Sequence, residues 1–337
     1  MDSAQSGSPS ARPHRRLGGG LAGFIVRRLL LGLLVLAIVS LVVFAATQAL
    51  PGDPAKAILG RSATPDSLKA LREQLNLDQP VITQYLDWIK GLVTGDLGTS
   101  LAAREPVSTY LHDRLINSAF LVFLSGIISI PLSIAIGAYA ALKRDRFFDS
   151  STSILTLLLA ALPEFVVGVT LVVVFATTVF PHFLPGVSTI APGTEPWTQL
   201  EEMVLPTLTL VIAVTPYVAR IMRASMIEVL ESEYVEMARL KGVPEREVVV
   251  RHALPNALGP TFQVIAINLA YLAGGVIVVE YVFNYAGIGG ALQNAVVTRD
   301  LPVVQALAML IAAVYVVLHM LADVATILVT PRLRTRL

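Results

Sequence analysis

The residues with chemistry to offer are a few polar side chains set inside long apolar runs. Glu164 follows Leu162-Pro163, Asn268 and Glu280 belong to one run with Asn284 just beyond it, and His319 and Asp323 stand four apart in the last run. Burying a carboxylate or imidazole among apolar residues is costly, so such groups turn toward protein or water, where they can relay a proton or contact a polar solute. Glu164, Asn268, Glu280 and Asn284 are therefore candidates for lining a translocation pathway. Glu164 reads equally well as a kink residue satisfied by a neighbouring helix. His319 and Asp323 share a helix face, and a polar helix–helix contact is the better reading for them than a substrate or metal site.

Other chemistries find no residues to carry them. No Gly-Lys dipeptide occurs, so the chain has no Walker A loop to cradle phosphates. HExxH and GxSxG are absent too, which leaves zinc-protease and serine-hydrolase readings without support. His14, His112, His182, His252 and His319 are scattered, and the absence of cysteine excludes disulfides and thiolate metal sites. A formal net charge of +1, with no basic face, carries no signal for nucleic acid.

The elements that must position the polar residues are set by hydropathy. Of 337 residues 55% are hydrophobic and only 15% charged, too apolar for two soluble domains. Uncharged runs recur at 29–52, 115–142, 165–193, 203–219, 253–279 and 301–322. A helix needs about 20 apolar residues to cross a bilayer, so each run predicts a span, the fourth with help from its flanks. The expectation is an all-α polytopic membrane protein with six transmembrane helices. Arg27-Arg28 invites a cleaved-signal reading, but the run that follows is too long for an h-region, and we read it as a retained first span.

Orientation follows from the basic residues. Arg12, Arg15, Arg16, Arg27 and Arg28 precede the first span; Lys143, Arg144 and Arg146 follow the second; Arg220, Arg223, Arg239, Lys241, Arg246 and Arg251 follow the fourth; Arg332, Arg334 and Arg336 end the chain. The positive-inside bias places all four groups, and hence both termini, in the cytoplasm. Outside the long first loop only Arg114 and Arg299 fall on the other side. The chain then divides into a disordered cytoplasmic tail (1–22), transmembrane helix 1 (23–50), an extracytoplasmic helical segment (51–112), a core holding helices 2–6 (113–330) and a basic cytoplasmic tail (331–337). Within 51–112 a helix starts at Pro65 and a second covers 81–92. Pro163 kinks the third span, and Pro206 and Pro216 interrupt the fourth.

The most informative stretch is 228–260, EVLESEYVEMARLKGVPEREVVVRHALPNALGP. Leu230, Tyr234, Met237 and Ala238 fall on one helix face, with Ser232, Glu236 and Arg239 opposite. Gly242 suits a left-handed helix end, and Pro244, Glu245 and Glu247 suit the first turn of a second helix. The pattern is helix, tight turn, helix, tethered at both ends to spans.

Glu236-Met237-Ala238, three residues, Gly242, nine residues, His252, one residue and Leu254-Pro255 resemble the EAA loop of ABC importer permeases, with Met237 in place of an Ala and His252 in place of an Ile. PGDPAKAILG, LNLDQPVITQYLDWIKGLVTGDLGTS and the 280–306 segment with Arg299-Asp300 and Pro302-Val303-Val304-Gln305 are similar to the external segments of the dipeptide/oligopeptide/nickel branch. The resemblance implies the type I permease fold with an external helical insertion between spans 1 and 2. It makes Tyr234, Glu236, Ala238, Gly242, Leu254 and Pro255 an ATPase-coupling loop (228–259). It also implies a bacterial inner-membrane location, a second homologous permease, two cytoplasmic ATPase subunits or domains that bind ATP and Mg, and an extracytoplasmic substrate-binding protein. Peptides are the implied substrate, with nickel or another small solute second. A stand-alone secondary transporter using Glu164, His319 or Asp323 as a proton relay is the rival class; inverted repeats with broken helices would favour it, and none is found.

Overall fold

The computed structural model describes residues 21–49, 55, 64–74, 78–177, 184–188, 190 and 193–329. The expected N-terminal tail up to residue 20, nearly all of PGDPAKAILG, and the basic tail with Arg332, Arg334 and Arg336 lie outside them. The described residues are almost wholly helical. They form α1 (Leu21–Gln48), α2 (Pro65–Gln74), α3 (Val81–Thr94), α4 (Val107–Leu142), α5 (Phe147–Ala161), α6 (Glu164–Phe175), α7 (Leu200–Leu230), α8 (Glu233–Leu240), α9 (Leu254–Val282), α10 (Ile288–Thr298) and α11 (Leu301–Val329).

Four stretches are long and apolar enough to cross a membrane singly, Gly23–Gln48, Val107–Leu142, Leu200–Leu230 and Leu301–Val324. Two further pairs of helices are apolar enough to cross when each pair is taken together, but each is bent. Glu245–Leu272 meets Gly274–Val282 at 48°, and α5 meets α6 at 106°. The second angle changes the expected third span from a kinked helix into two arms set nearly at right angles. Its cause is local: Leu162, preceding a proline, is driven out of the helical region and adopts φ −86°, ψ 131°. Pro206 and Pro216 do not repeat this. The helix runs unbroken through both, because each is buried in the bundle and its neighbours hold the helical path.

The bundle core forms where α4, α7 and α9 meet. Leu121, Met203, Leu210, Val214, Leu272 and Val276 are buried together there. Among membrane-spanning helices such burial stabilises through close van der Waals packing, because lipid is as apolar as the side chains themselves. α11 packs along α9 and α1 along α11. At one end of the α1–α11 pair Arg28 meets Asp323 at 2.5 Å, and at the other Gln305 Nε2 donates to Thr47 Oγ1 at 2.8 Å. Asp323 thus makes the helix–helix contact preferred for it, while His319 packs edge-on against Tyr315, ring centroids 4.4 Å apart.

Candidate functional site

Two groups of sequence-predicted residues occupy opposite ends of the bundle. At one end the chain leaves α7, turns at Glu231–Ser232 and forms α8; the Ser232 hydroxyl donates back to the Val229 carbonyl at 2.5 Å. Because the helix restarts at Glu233, its phase is reset, and the buried face differs from the one expected by counting from Leu230. Val235 and Ala238 are buried, joined by Val248 in a small apolar cluster. Tyr234 and Met237 are exposed, and Leu240 is 75% exposed. Glu236 is exposed beside them.

The turn that follows has the geometry its glycine suggests. Gly242 adopts φ +78°, a conformation costly to residues bearing a Cβ, and a Cβ placed there would meet nothing within 4 Å. Val243 N–H donates to the Ala238 carbonyl at 3.2 Å, closing the helix end. Arg239 Nη2 and Nε reach the two oxygens of Glu245 at 2.7 and 3.1 Å, strapping the two arms together. That carboxylate holds the Arg239 guanidinium above its ordinary pKa. The second arm, Glu245–Glu247 followed by a π-helical turn Val248–Ala253, runs directly into α9. Leu254 packs against the buried Met222, Met226, Ala253 and Ala257, while Pro255, at the first helical positions, needs no hydrogen-bond partner and is exposed. The hairpin is therefore welded to α7 on one side and to α9 on the other.

Beside the hairpin lies a contact that sequence reading did not single out. Asp149, almost fully buried, accepts two hydrogen bonds from Arg223, by Nε and by Nη2, the latter at 2.7 Å, and a third from Asp145 N–H at 3.0 Å. Arg144 pairs with Glu231 across the same surface. The signal was available as a lone carboxylate at the start of an apolar run, with unpaired-looking arginines at the end of the next.

At the far end, α9 stops at Val282 and the chain turns through Asn284 (φ +50°) into α10. Glu280 is fully buried; Ser118 Oγ and Gly289 N–H (2.6 Å) donate to its carboxylate. The same Ser118 hydroxyl accepts from Ile288 N–H at 2.9 Å. Asn117 Nδ2 donates to the Ala286 carbonyl and Tyr285 OH to the Asn117 carbonyl, at 2.8 and 2.9 Å. Asp300 repeats the device beyond the end of α10, accepting from Ser100 Oγ at 2.5 Å and Ala102 N–H at 3.1 Å. Asn284 lines a cavity of about 500 Å³ with Arg114, Ser188, Tyr281, Gln293 and Asn294. Asn268 lies elsewhere, its side chain donating to the Val264 carbonyl of its own helix at 2.9 Å. Glu164 begins α6 at the 106° break, its carboxylate beside the Tyr271 side chain; its Oε1 is sealed from solvent and lies 3.0 Å from the position a Cβ would take on Gly275. The four pathway candidates thus fall at three places, with Glu280 and Asn284 brought together and Asn268 and Glu164 apart from them.

Residues 133–335 match the family described as binding-protein-dependent transport system inner membrane component, and residues 21–122 match its N-terminal membrane component. The chain is similar to the probable peptide ABC transporter permease protein y4tP of Sinorhizobium fredii, with 35% identity over 92% of this chain and 99% of the relative. It is equally similar to the glutathione transport system permease protein GsiC of Escherichia coli K12, with 35% identity over 93% of this chain and 99% of that one. The chain belongs to the binding-protein-dependent transport system inner membrane components, the permease subunits of ABC transporters.

Proposed function

We infer that this chain is one half of a peptide-translocating pore, driven from outside itself through the α8–Gly242 hairpin. The observation that carries the reading is the exposure of Tyr234, Met237 and Leu240 on an element whose two arms continue into α7 and α9. Exposed apolar side chains on a short, charged helix outside the spans call for a partner surface. A cytoplasmic ATPase is that partner in our reading, two copies serving this chain and a second, homologous permease; ATP and Mg belong to those subunits. An extracytoplasmic binding protein delivers substrate to the opposite end.

The mechanism follows from stiffness. When the ATPase pair closes, the hairpin moves as a body, because Val235, Ala238 and Val248 and the Arg239–Glu245 strap fix its arms. α7 and α9, attached without a flexible linker, carry the movement to the core. The nucleotide shifts the pore between outward and inward openings only by as much as it binds the two states differently. The six crossings of this reading count each bent pair as one span, with both termini, the hairpin and the Lys143–Arg146 turn on the cytoplasmic face of a bacterial inner membrane.

Peptides are the proposed substrates, on the strength of relatives named for peptide and for glutathione, itself a tripeptide. The test is uptake and peptide-stimulated ATPase activity in proteoliposomes holding the whole complex. A matching series of small peptides should stimulate both; stimulation by nickel or an unrelated solute and by no peptide overturns the substrate assignment.

A further inference from the structure

We propose that α3 (Val81–Thr94) is an interfacial helix lying in the lipid boundary at the far end of α1, with phospholipid acyl chains covering one of its faces. Twelve of its fourteen residues, all but Gln84 and Gly91, divide into three stripes of identical spacing. Val81, Tyr85, Trp88 and Leu92 form the first, and its two aromatic members pack on α1: Tyr85 meets Phe44 edge-on at 5.3 Å between ring centroids, and Trp88 stacks on Phe44 at 5.8 Å. Thr83, Asp87, Lys90 and Thr94 form a second stripe, polar and exposed. Ile82, Leu86, Ile89 and Val93 form the third; Ile82 is 74%, Leu86 59% and Val93 80% exposed. Residues at i, i+4, i+7 and i+11 share a helix face, so this third stripe is one continuous apolar strip, exposed at three of its four positions and half-buried at Ile89.

Depth along α1 identifies what covers the strip. Gln48 ends the first span, and Ser40 lies eight residues earlier, about 12 Å deeper at 1.5 Å per residue. Gln84, on the polar side of α3, meets Gln48 at 2.9 Å, whereas Tyr85, turned toward the apolar strip, reaches Ser40 at 2.9 Å. Going round α3 from its polar to its apolar side is therefore going down α1 into the bilayer. The skin beside these contacts is apolar, with Leu34, Ile38, Leu41 and Val42 of α1 exposed in a candidate span only 17% buried. The apolar strip continues that skin. Tyr85 and Trp88 then stand at the depth where aromatic residues gather in membrane proteins, and a helix with one polar and one apolar face settles about 5–10 Å into such a boundary.

The chain contains no cysteine, so single labels can be placed without clearing a background in it. Spin labels on Leu86→Cys and Val93→Cys, and on Asp87→Cys and Lys90→Cys as the polar pair, would be read in the full complex in phosphatidylcholine nanodiscs. Collision with oxygen reports lipid, and collision with a water-soluble nickel chelate reports solvent. The Leu86 and Val93 labels should show an oxygen-to-nickel ratio severalfold above that of the Asp87 and Lys90 labels, unchanged when an external binding protein is added. Higher nickel than oxygen access at Leu86 and Val93 would put the strip in water, and shielding from both would put a protein on it; either result overturns the proposal. Retained uptake by each labelled complex shows that the helix has not been displaced by the label.

Discussion

The two ends of the bundle hold their irregular segments in opposite ways. The far-end segment, from Glu280 through α10 to Asp300, is fixed by buried carboxylates: Glu280 accepts from the Ser118 hydroxyl of α4 and the Gly289 N–H of α10, and Asp300 from the Ser100 hydroxyl and the Ala102 N–H. The hairpin is fixed by three small apolar side chains, one left-handed glycine and ion pairs that water can reach. Buried polar networks are expensive to disrupt because each lost partner strands another, whereas exposed ion pairs contribute little. The far end is thus built as a fixed wall and the hairpin, in our reading a lever, is continuous with α7 and α9 and tied at its surface only by ion pairs that water reaches.

If that contrast is right, substitutions at the two ends should separate stability from coupling. The largest loss of stability is expected for Glu280→Ala, which strands Ser118 Oγ and Gly289 N–H and should cost about 3 kcal/mol, measured as a lowered Tm of the purified complex. Gly289→Ala should act in the same direction, since a Cβ there would lie 2.6 Å from the Ile277 Cα. Asp300→Ala follows at about 2 kcal/mol, because Ser100 and the Ala102 amide both lose their acceptor. Gly242→Val should cost about 1–2 kcal/mol, from forcing a β-branched residue into a left-handed backbone. Its main effect should appear elsewhere: ATP hydrolysis should no longer be stimulated by substrate, and uptake should fall. Undiminished stimulated hydrolysis and uptake in this variant would count against the turn. Arg239→Ala should be the mildest, below about 1 kcal/mol, since its pair with Glu245 is solvent-exposed. A Tm drop at Arg239 matching that at Glu280 would erase the distinction between wall and lever.

The lever was largely legible in the sequence, and the reason is local chemistry. Gly242 and Pro244 punctuate the chain in ways that do not depend on distant contacts, so the turn could be placed from residue type alone. The face of α8 was not legible, because the break at Glu231–Ser232 shifts the helical phase and only the folded chain shows it. Prolines taught the same lesson. Pro163, Pro206 and Pro216 look alike in an apolar run, yet only the first accompanies a break, and burial of the other two within the bundle is a tertiary fact. The wall was the least legible part. Ser118 and Asn117 are unremarkable in a span, and their partners lie some 160 or more residues away, at Glu280 and Ala286. Glu280 stands out in the sequence as a carboxylate at the end of an apolar run, but the residues that hold it do not, since a sequence shows that a buried carboxylate needs partners without showing which it has.

The central claim is that work enters through the exposed face of α8. It is tested most directly by a Met237→Cys variant of this cysteine-free chain, treated with a short bifunctional cross-linker in intact membranes of cells making the whole complex. The account predicts one dominant adduct, containing this chain and a nucleotide-binding subunit, whose yield changes when ATP is trapped. Labelling of the introduced thiol by membrane-impermeant reagents from the outside, with no such adduct in any nucleotide state, would contradict it.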